Sequence, residues 1–228
     1  MSQGIFVTGT DTGVGKTVVS CALIHALRAH GVDVHPFKPV AAGAAMHSGR
    51  WVNDDTAALA RAAGLDATAF ERVTPVLLRE AIAPHIAAAH EARAISLEAI
   101  GRAFDRIAAT GAFALVEGVG GFCVPLGDTL DSTGMCRALG LPVVLVVGMR
   151  LGCLNHALLT AQAIAAAGLP LAGWVANRID PAMAAHDENV ATLERRLGAP
   201  LLGRVPYSPS ADPRGLAVHL DVGPLLKA

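Results

Sequence analysis

A glycine-rich segment near the start of the chain has the residue types of a phosphate-binding loop. It reads Gly-Thr-Asp-Thr-Gly-Val-Gly-Lys-Thr over residues 9–17, between an apolar run and a helical pattern. Glycines let backbone N–H groups turn around phosphate oxygens, the lysine reaches the β- and γ-phosphates, and the next hydroxyl can hold Mg²⁺. The generic pattern has glycine where this chain has Thr10, so the loop is a lengthened variant. The alternative is a strand-to-helix turn with an exposed lysine. The segment predicts nucleotide binding by Gly13, Val14, Gly15, Lys16 and Thr17.

Three further polar residues follow later apolar runs or open a helix. Lys38 ends the second run, Asp55 lies at the start of a helical pattern, and Glu117 ends the third run before Gly118 and Gly120. Mg²⁺ favours one or two carboxylates together with phosphate oxygens, so Thr17, Asp55 and Glu117 would suffice as protein ligands. The alternatives are a solvated lysine, a helix cap and a glycine turn without a ligand.

The surrounding pattern predicts the elements that must position these residues. Short apolar runs alternate with helical patterns, which is typical of an α/β domain with a predominantly parallel central sheet and helices on both faces. We therefore expect a single domain over residues 1–228, with a ligand site at the carboxyl ends of the strands and a loop over residues 41–52. The predicted strands cover residues 5–8, 34–37, 113–117, 143–147, 173–177 and 201–205, and the predicted helices cover 16–30, 53–63, 96–110, 132–139, 155–167 and 187–197.

Composition and charge exclude several classes of partner. The 228 residues carry a formal net charge of −1, and no run of Lys or Arg could neutralise a row of phosphates, so we expect no nucleic-acid partner. The N-terminal residues lack a positive region and a long apolar stretch, and glycine and proline interrupt the long uncharged segment between Arg150 and Arg178, so we expect a cytoplasmic protein that does not span a membrane. Only 16% of residues are charged, which favours a homo-oligomer.

Taken together, the motifs resemble the dethiobiotin synthetase family within the P-loop NTPase superfamily. The resemblance spans residues 4–207, and the motifs are specific in their order and spacing rather than singly. They are the lengthened loop 9–17, Lys38-Pro-Val-Ala41, Asn53 with Asp55, Pro84-His85, Glu117-Gly-Val-Gly-Gly121, the segment 151–156, Gly173-x-Val-x-Asn177 and Pro206.

The resemblance implies an ATP- and Mg²⁺-dependent ring closure in biotin biosynthesis. In that reaction 7,8-diaminononanoate and CO₂, or bicarbonate, would give dethiobiotin, ADP and phosphate through a carbamate and a carbamyl phosphate. By this resemblance Lys16 and Lys38 are catalytic, and Thr17, Asp55 and Glu117 bind the metal. The ATP-binding residues would be Gly13, Val14, Gly15, Lys16, Thr17, Asp55, Glu117, Gly118, Gly120, Asn177, Pro206 and Tyr207.

The resemblance also implies a homodimer in which each site is shared. The amine-bearing end of the substrate would meet Thr12, Lys38 and Ala42, and the far carboxylate would bind Gly152, Cys153, Leu154 and Asn155 of the neighbouring subunit. On the sequence alone, Asn155 could equally start a helix. The family usually has serine where this chain has Ala42, so one hydrogen bond to the substrate would be missing.

Two other functions share parts of this pattern. A nucleotide switch of the partitioning or division-site type has the same fold, but its signature lysine is replaced here by Asp11, and residues 218–228 lack a basic amphipathic pattern. An amidating ligase of the cobyrinate type needs a glutaminase domain, for which 228 residues leave no room.

Overall fold

The computed structural model describes residues 4–210 and 212–227. Residues 1–3, which belong to the N-terminal segment predicted to lack a positive region, lie outside the described residues. The strands are β1 Gly4–Gly9, β2 Val34–Phe37, β3 Val40–Ala42, β4 Ala45–His47, β5 Arg50–Val52, β6 Val76–Leu78, β7 Phe113–Glu117, β8 Val143–Met149, β9 Leu171–Arg178 and β10 Leu201–Val205. The α-helices are α1 Lys16–Ala29, α2 Asp54–Ala62, α3 Phe70–Val73, α4 Pro84–His90, α5 Leu97–Ala108, α6 Ser132–Leu139, α7 Cys153–Ala166, α8 His186–Arg196, α9 Pro213–Leu216 and α10 Gly223–Leu226.

Six of these strands form the central sheet in the order β10-β9-β8-β1-β7-β2. Every neighbouring pair is parallel. The prediction of a parallel α/β domain is confirmed, and all six predicted strands belong to this one sheet. After β1 the chain forms β2 and β7 on one side of β1, and it then forms β8, β9 and β10 on the other side. The strand order therefore reverses at β1. Such a point leaves a crevice at the carboxyl ends of the strands, where ligands bind in open α/β sheets.

Helices cover both faces of this sheet because alternate strand residues point to opposite sides. Ile5 and Val7 pack in one apolar cluster with α1 and α2. Phe6, between them, packs in another cluster with α5 and α6. A third cluster joins β8 and β9 to α7 and α8. The sheet is therefore a rigid support for the loops at its carboxyl edge.

The predicted loop over residues 41–52 is wrong in its main part. Val40–Ala42 forms β3, which pairs in parallel with β6, and Ala45–His47 pairs with Arg50–Val52 as an antiparallel hairpin. These strands are three residues long, and most hairpin residues are exposed, so their sequence has no apolar alternation to mark them. Helix α7 also begins at Cys153, two residues before the predicted start.

Within residues 4–210 and 212–227, no helix combines the length and apolar character that crossing a membrane would require.

Candidate active site

The loops that follow β1, β2 and β7 meet at one cavity of about 710 Å³. The parallel sheet brings them together because these three strands are neighbours and end at the same edge. The cavity is lined by Thr12, Gly13, Gly15, Lys16, Thr17, Val18, Lys38, Ala42, Asp55, Ala81, Ile82, Ala83, Pro84, Val119, Gly120 and Val124. Residues predicted from four separate segments of the sequence therefore share one space.

The phosphate loop connects β1 directly to the first turn of α1. Gly13 and Gly15 have φ values of 76° and 82°, a left-handed conformation that side chains with a Cβ disfavour. Lys16 is the first residue of α1 and is buried, and its Nζ donates to the carbonyl oxygen of Asp11 at 2.9 Å. Burial lowers the pKa of the Lys16 ammonium, with a further lowering by Lys38 that nearby carboxylates only partly oppose. The loop thus presents a cation and a helix N-terminus to the same cavity.

Lys38 lies between two carboxylates and is only 4% exposed. Its Nζ donates to Glu117 Oε1 at 2.6 Å and lies 3.0 Å from Asp55 Oδ2. Burial by itself would lower the pKa of Lys38, but the carboxylates of Glu117 and Asp55 outweigh that effect and raise it. Lys38 therefore carries a fixed positive charge in the wall of the cavity.

Glu117 is bonded to both Lys38 and Thr17. It is fully buried at the end of β7, and its Oε1 also accepts a hydrogen bond from the Thr17 hydroxyl at 2.9 Å. Its other oxygen, Oε2, is buried and accepts no hydrogen bond from the described residues. A buried carboxylate oxygen without a donor is suited to a cation. Together with the Thr17 hydroxyl and the Asp55 carboxylate it makes a hard oxygen donor set that fits Mg²⁺.

Asp55 is positioned by the residue that caps its helix. The side-chain oxygen of Asn53 accepts the backbone N–H groups of Asp55 and Thr56 at 3.1 and 3.3 Å, which starts α2. The Asn53 amide also donates to the carbonyl of Ala42 at 3.1 Å. Asn53 thereby joins the start of α2 to the end of β3, and Asp55 and Ala42 both line the cavity.

The glycines after β7 allow close approach of neighbouring residues. A Cβ at Gly118 would lie 3.1 Å from the ring of Phe6, so the main chain packs tightly there. Gly120 lines the cavity, and a Cβ on it would lie 3.6 Å from Thr12 Oγ1. The segment after Glu117 is therefore packed against the phosphate loop.

Asn177 contacts the phosphate loop from the end of β9. Its Nδ2 donates to the Val14 carbonyl at 2.8 Å and would lie 2.2 Å from a Cβ at Gly15. The next residue, Arg178, lines a second cavity of about 420 Å³, which Pro206 also lines. Asn177 thus contacts the phosphate loop and is followed in the chain by a residue that lines the second cavity. Tyr207, which follows Pro206, is 47% exposed.

The segment from Gly152 to Asn155 does not line the cavity that its own chain forms. It lies at the N-terminus of α7, where Gly152 has a φ of 94° and precedes the first helical residue. Cys153 is buried, Leu154 is half-buried and Asn155 is exposed. Leu151, just before them, is 94% exposed, and Leu159 on the same helix is 56% exposed.

Sequence reasoning left two parts of the site without a role. Residues 81–84 form one wall of the cavity, and among them only Pro84, at the start of α4, belonged to a motif of the family resemblance, which gave it no function. The contact between Arg150 and Asp11 was also missed, since 139 positions separate them. No pattern in the sequence marks such a pair.

The sequence is similar to known dethiobiotin synthetases over almost its whole length. It is 54% identical over 215 residues to the ATP-dependent dethiobiotin synthetase BioD of Aromatoleum aromaticum, covering 94% of this chain and 95% of that protein. It is 53% identical over 222 residues to the protein of the same name from Nitrosospira multiformis, covering 97% and 96%. Residues 3–214 also match a protein-family model described as an AAA domain.

Similar solved structures support the fold at lower sequence identity. A ParA family ATPase from Chlorobium tepidum TLS has a TM-score of 0.54 and 18% identity, covering 99% of this chain and 91% of that one. The cell division protein MinD of Aquifex aeolicus has a TM-score of 0.53 and 16% identity, covering 95% and 88%. At such low identity these structures show a common P-loop NTPase-like fold and nothing about activity.

Proposed function

Because the chain belongs to the ATP-dependent dethiobiotin synthetase family, a family of ligases that form C–N bonds, we propose that it closes the ureido ring of dethiobiotin in biotin biosynthesis. The substrates are 7,8-diaminononanoate, CO₂ or bicarbonate, and ATP. The observation that carries the proposal is the convergence of the Lys16 and Lys38 ammonium groups on one cavity, where Lys38 is paired with the buried carboxylate of Glu117 and the partly exposed carboxylate of Asp55.

The reaction has three steps that balance in atoms and charge. One amine of the diamine attacks CO₂ and loses a proton, which gives a carbamate. A carbamate oxygen attacks the γ-phosphorus of ATP, and ADP leaves, which gives a carbamyl phosphate. The second amine attacks the carbamyl carbon, phosphate leaves, and loss of a proton completes the ring. Negative charge accumulates at the transferred phosphoryl group, so fixed positive charges there stabilise the transition states.

We assign the charges of the cavity to this chemistry by their positions. Lys16, at the helix N-terminus, binds the β- and γ-phosphates together with the backbone N–H groups of residues 13–17. Lys38, which also lines the cavity, stabilises the carbamyl phosphate, and it stays protonated because Glu117 and Asp55 raise its pKa. Thr12 and Ala42, which also line the cavity, contact the amine-bearing end of the substrate.

Thr17, Asp55 and Glu117 are the residues that would hold Mg²⁺. When bound, the ion supplies positive charge against the phosphate oxygens. The residues support this assignment because the two carboxylates only balance the two lysine charges, which leaves nothing to offset a triphosphate. Glu117 Oε2, which is buried and accepts no hydrogen bond from the described residues, suits a cation.

We propose that the adenine end of ATP reaches Asn177, Pro206 and Tyr207. Asn177 contacts the phosphate loop and precedes Arg178 in the wall of the second cavity, which Pro206 also lines. A nucleotide whose phosphates lie over Gly15 would therefore extend toward that cavity. The half-exposed ring of Tyr207 follows immediately in the chain.

We further propose that the protein acts as a homodimer with shared sites. Gly152 to Asn155 do not line the cavity of their own chain, and they lie at the N-terminus of α7, where helix N–H groups can bind a carboxylate. Leu151 and Leu159 expose apolar surface beside them. Pairing this surface with a second copy would cover the leucines and bring the segment to the neighbouring cavity, where it would bind the far carboxylate of the diamine.

The diamine dependence of ATP turnover is the test of this function. We expect purified protein to release phosphate and form a ureido product only when diaminononanoate, bicarbonate and Mg-ATP are all present, measured by phosphate assay and mass spectrometry. Lys16→Gln should abolish product formation. Lys227→Gln, which removes the exposed lysine near the C-terminus, should not. ATP hydrolysis at the same rate with and without the diamine would instead favour a nucleotide switch.

A further inference from the structure

Arg150 contacts the phosphate loop, although the proposed reaction gives it no role. It follows β8 directly, and its Nη2 donates to Asp11 Oδ2 at 2.6 Å. The other carboxylate oxygen of Asp11 accepts the backbone N–H of Thr12 at 2.7 Å. The main-chain oxygen of Asp11 accepts Lys16 Nζ at 2.9 Å. Asp11 is therefore bonded to Arg150 on one side and to two cavity-lining residues on the other.

The backbone of Arg150 is fixed independently of its side chain. The Arg150 carbonyl accepts the N–H of Cys153 at 3.0 Å, which closes the turn that leads into α7. The strand before it is held as well, because the N–H of Thr10 donates to the Val146 carbonyl at 3.1 Å. The guanidinium group thus extends from a rigid part of the sheet edge to the more open phosphate loop.

We propose that Arg150 is a positioning residue for nucleotide binding. By holding the Asp11 carboxylate, it fixes the turn that orients the Thr12 N–H and the carbonyl to which Lys16 is bonded. Lys16 is thereby kept directed toward the phosphates before ATP arrives, so less ordering is needed on binding. This role rests on the proposed function only in requiring that the loop bind a triphosphate.

Because the Arg150–Asp11 ion pair is partly exposed, we expect its loss to change nucleotide affinity more than the free energy of unfolding. The side chains of Arg150 and Asp11 are 43% and 45% exposed, and such ion pairs contribute little to the free energy of unfolding. Loss of the pair should therefore leave the thermal stability nearly unchanged while the loop becomes less ordered. Salt screens exposed charges, so the contribution of the pair to nucleotide affinity should also decrease at high ionic strength.

The first test compares Arg150→Met with a conservative and a matched control variant. Arg150→Lys keeps a positive charge, and Arg102→Met removes a similarly exposed arginine that is paired with Glu98 on α5. Calorimetry with Mg²⁺ and a non-hydrolysable ATP analogue should show about fivefold weaker binding for Arg150→Met. Arg150→Lys should recover most of the affinity and Arg102→Met should match wild type. In steady state, KM for ATP should rise more than kcat falls.

The second test is a double-mutant cycle with Asp11→Asn, which keeps an oxygen for the Thr12 N–H but loses the charge. If Arg150 acts through Asp11, the double variant should bind the analogue no more weakly than the weaker single variant. Wild-type affinity in Arg150→Met would overturn the proposal. Fully additive losses would overturn it too, because Arg150 would then act on the nucleotide directly. Since binding is measured without the diamine, failure of the ring-closure assay would not affect this result.

Discussion

The two lysines of the cavity have opposite surroundings. Lys16, the first residue of α1, donates to the backbone carbonyl of Asp11, and its pKa is lowered by burial. Lys38 is bonded to Glu117 and lies beside Asp55, and its pKa is raised by their charges. Among the described residues, no carboxylate is bonded to Lys16, whereas the charge of Lys38 is already neutralised by its ion pairs.

This difference indicates that the two lysines contribute separately to nucleotide binding and to the stability of the protein. An ammonium bonded only to a neutral carbonyl can turn to a phosphate without breaking an ion pair. An ammonium buried between carboxylates fixes three chain segments, namely the end of β2, the start of α2 and the end of β7. We therefore expect changes at Lys16 to affect nucleotide affinity, and changes at Lys38 to affect stability as well as ring closure.

The largest expected effect is on stability in Lys38→Leu. Removing the ammonium leaves Glu117 charged and buried without its partner, so the free energy of unfolding should fall by about 3–5 kcal/mol. Urea denaturation without nucleotide measures it. Nucleotide binding should persist where the protein is folded, while ring closure is strongly reduced.

A double variant tests whether the unpaired charge of Glu117 causes that loss of stability. Lys38→Leu combined with Glu117→Gln removes both charges and should recover part of the stability. Lys16→Gln should destabilise by only about 1 kcal/mol, since it removes one hydrogen bond to a carbonyl. Equal destabilisation by Lys16→Gln and Lys38→Leu would contradict the contrast between the two lysines.

An intermediate effect is expected on the pH dependence of nucleotide binding. Because the pKa of Lys16 is lowered, its ammonium is lost at a pH below the ordinary lysine value of 10.5. The raised pKa of Lys38 keeps that residue charged over the same range. Affinity for Mg-ADP, measured by calorimetry with circular dichroism to check folding, should therefore decline on the alkaline side before pH 10.5. In Lys16→Gln the affinity should be weak throughout, and an unchanged decline in that variant would exclude Lys16 as its cause.

The smallest expected effect is at Ala42, which lines the cavity. Ala42→Ser adds the hydroxyl that is usual in the family and offers the substrate one hydrogen bond, worth about 0.5–1.5 kcal/mol. KM for the diamine should fall about twofold to tenfold, as initial rates would show. KM for ATP, to which Lys16 and the phosphate loop contribute, should stay the same. A KM for the diamine that is unchanged or raised would show that Ala42 does not contact the reacting end.

Much of the central fold could be predicted because its signals are local. A strand buried on both faces must be a continuous apolar run, as in Val143–Met149, and the glycines after most helices mark where those helices end. The hairpin from Ala45 to Val52 has no such signal, because its short strands face solvent. The pairing of β3 with β6 depends on segments more than thirty residues apart, which no local pattern specifies.

The sequence by itself determined the types and order of the reactive groups: the lengthened phosphate loop, the lysine after the second strand, and the carboxylate that ends an apolar run. Local patterns carry this information because each group is fixed by its own strand or helix end. Only the tertiary structure decided that Lys38 is bonded to Glu117, that Asn177 supports the loop at Val14, and that Arg150 holds Asp11. Those contacts join residues 79, 163 and 139 positions apart, and their geometry arises only when the sheet has placed its strand ends side by side.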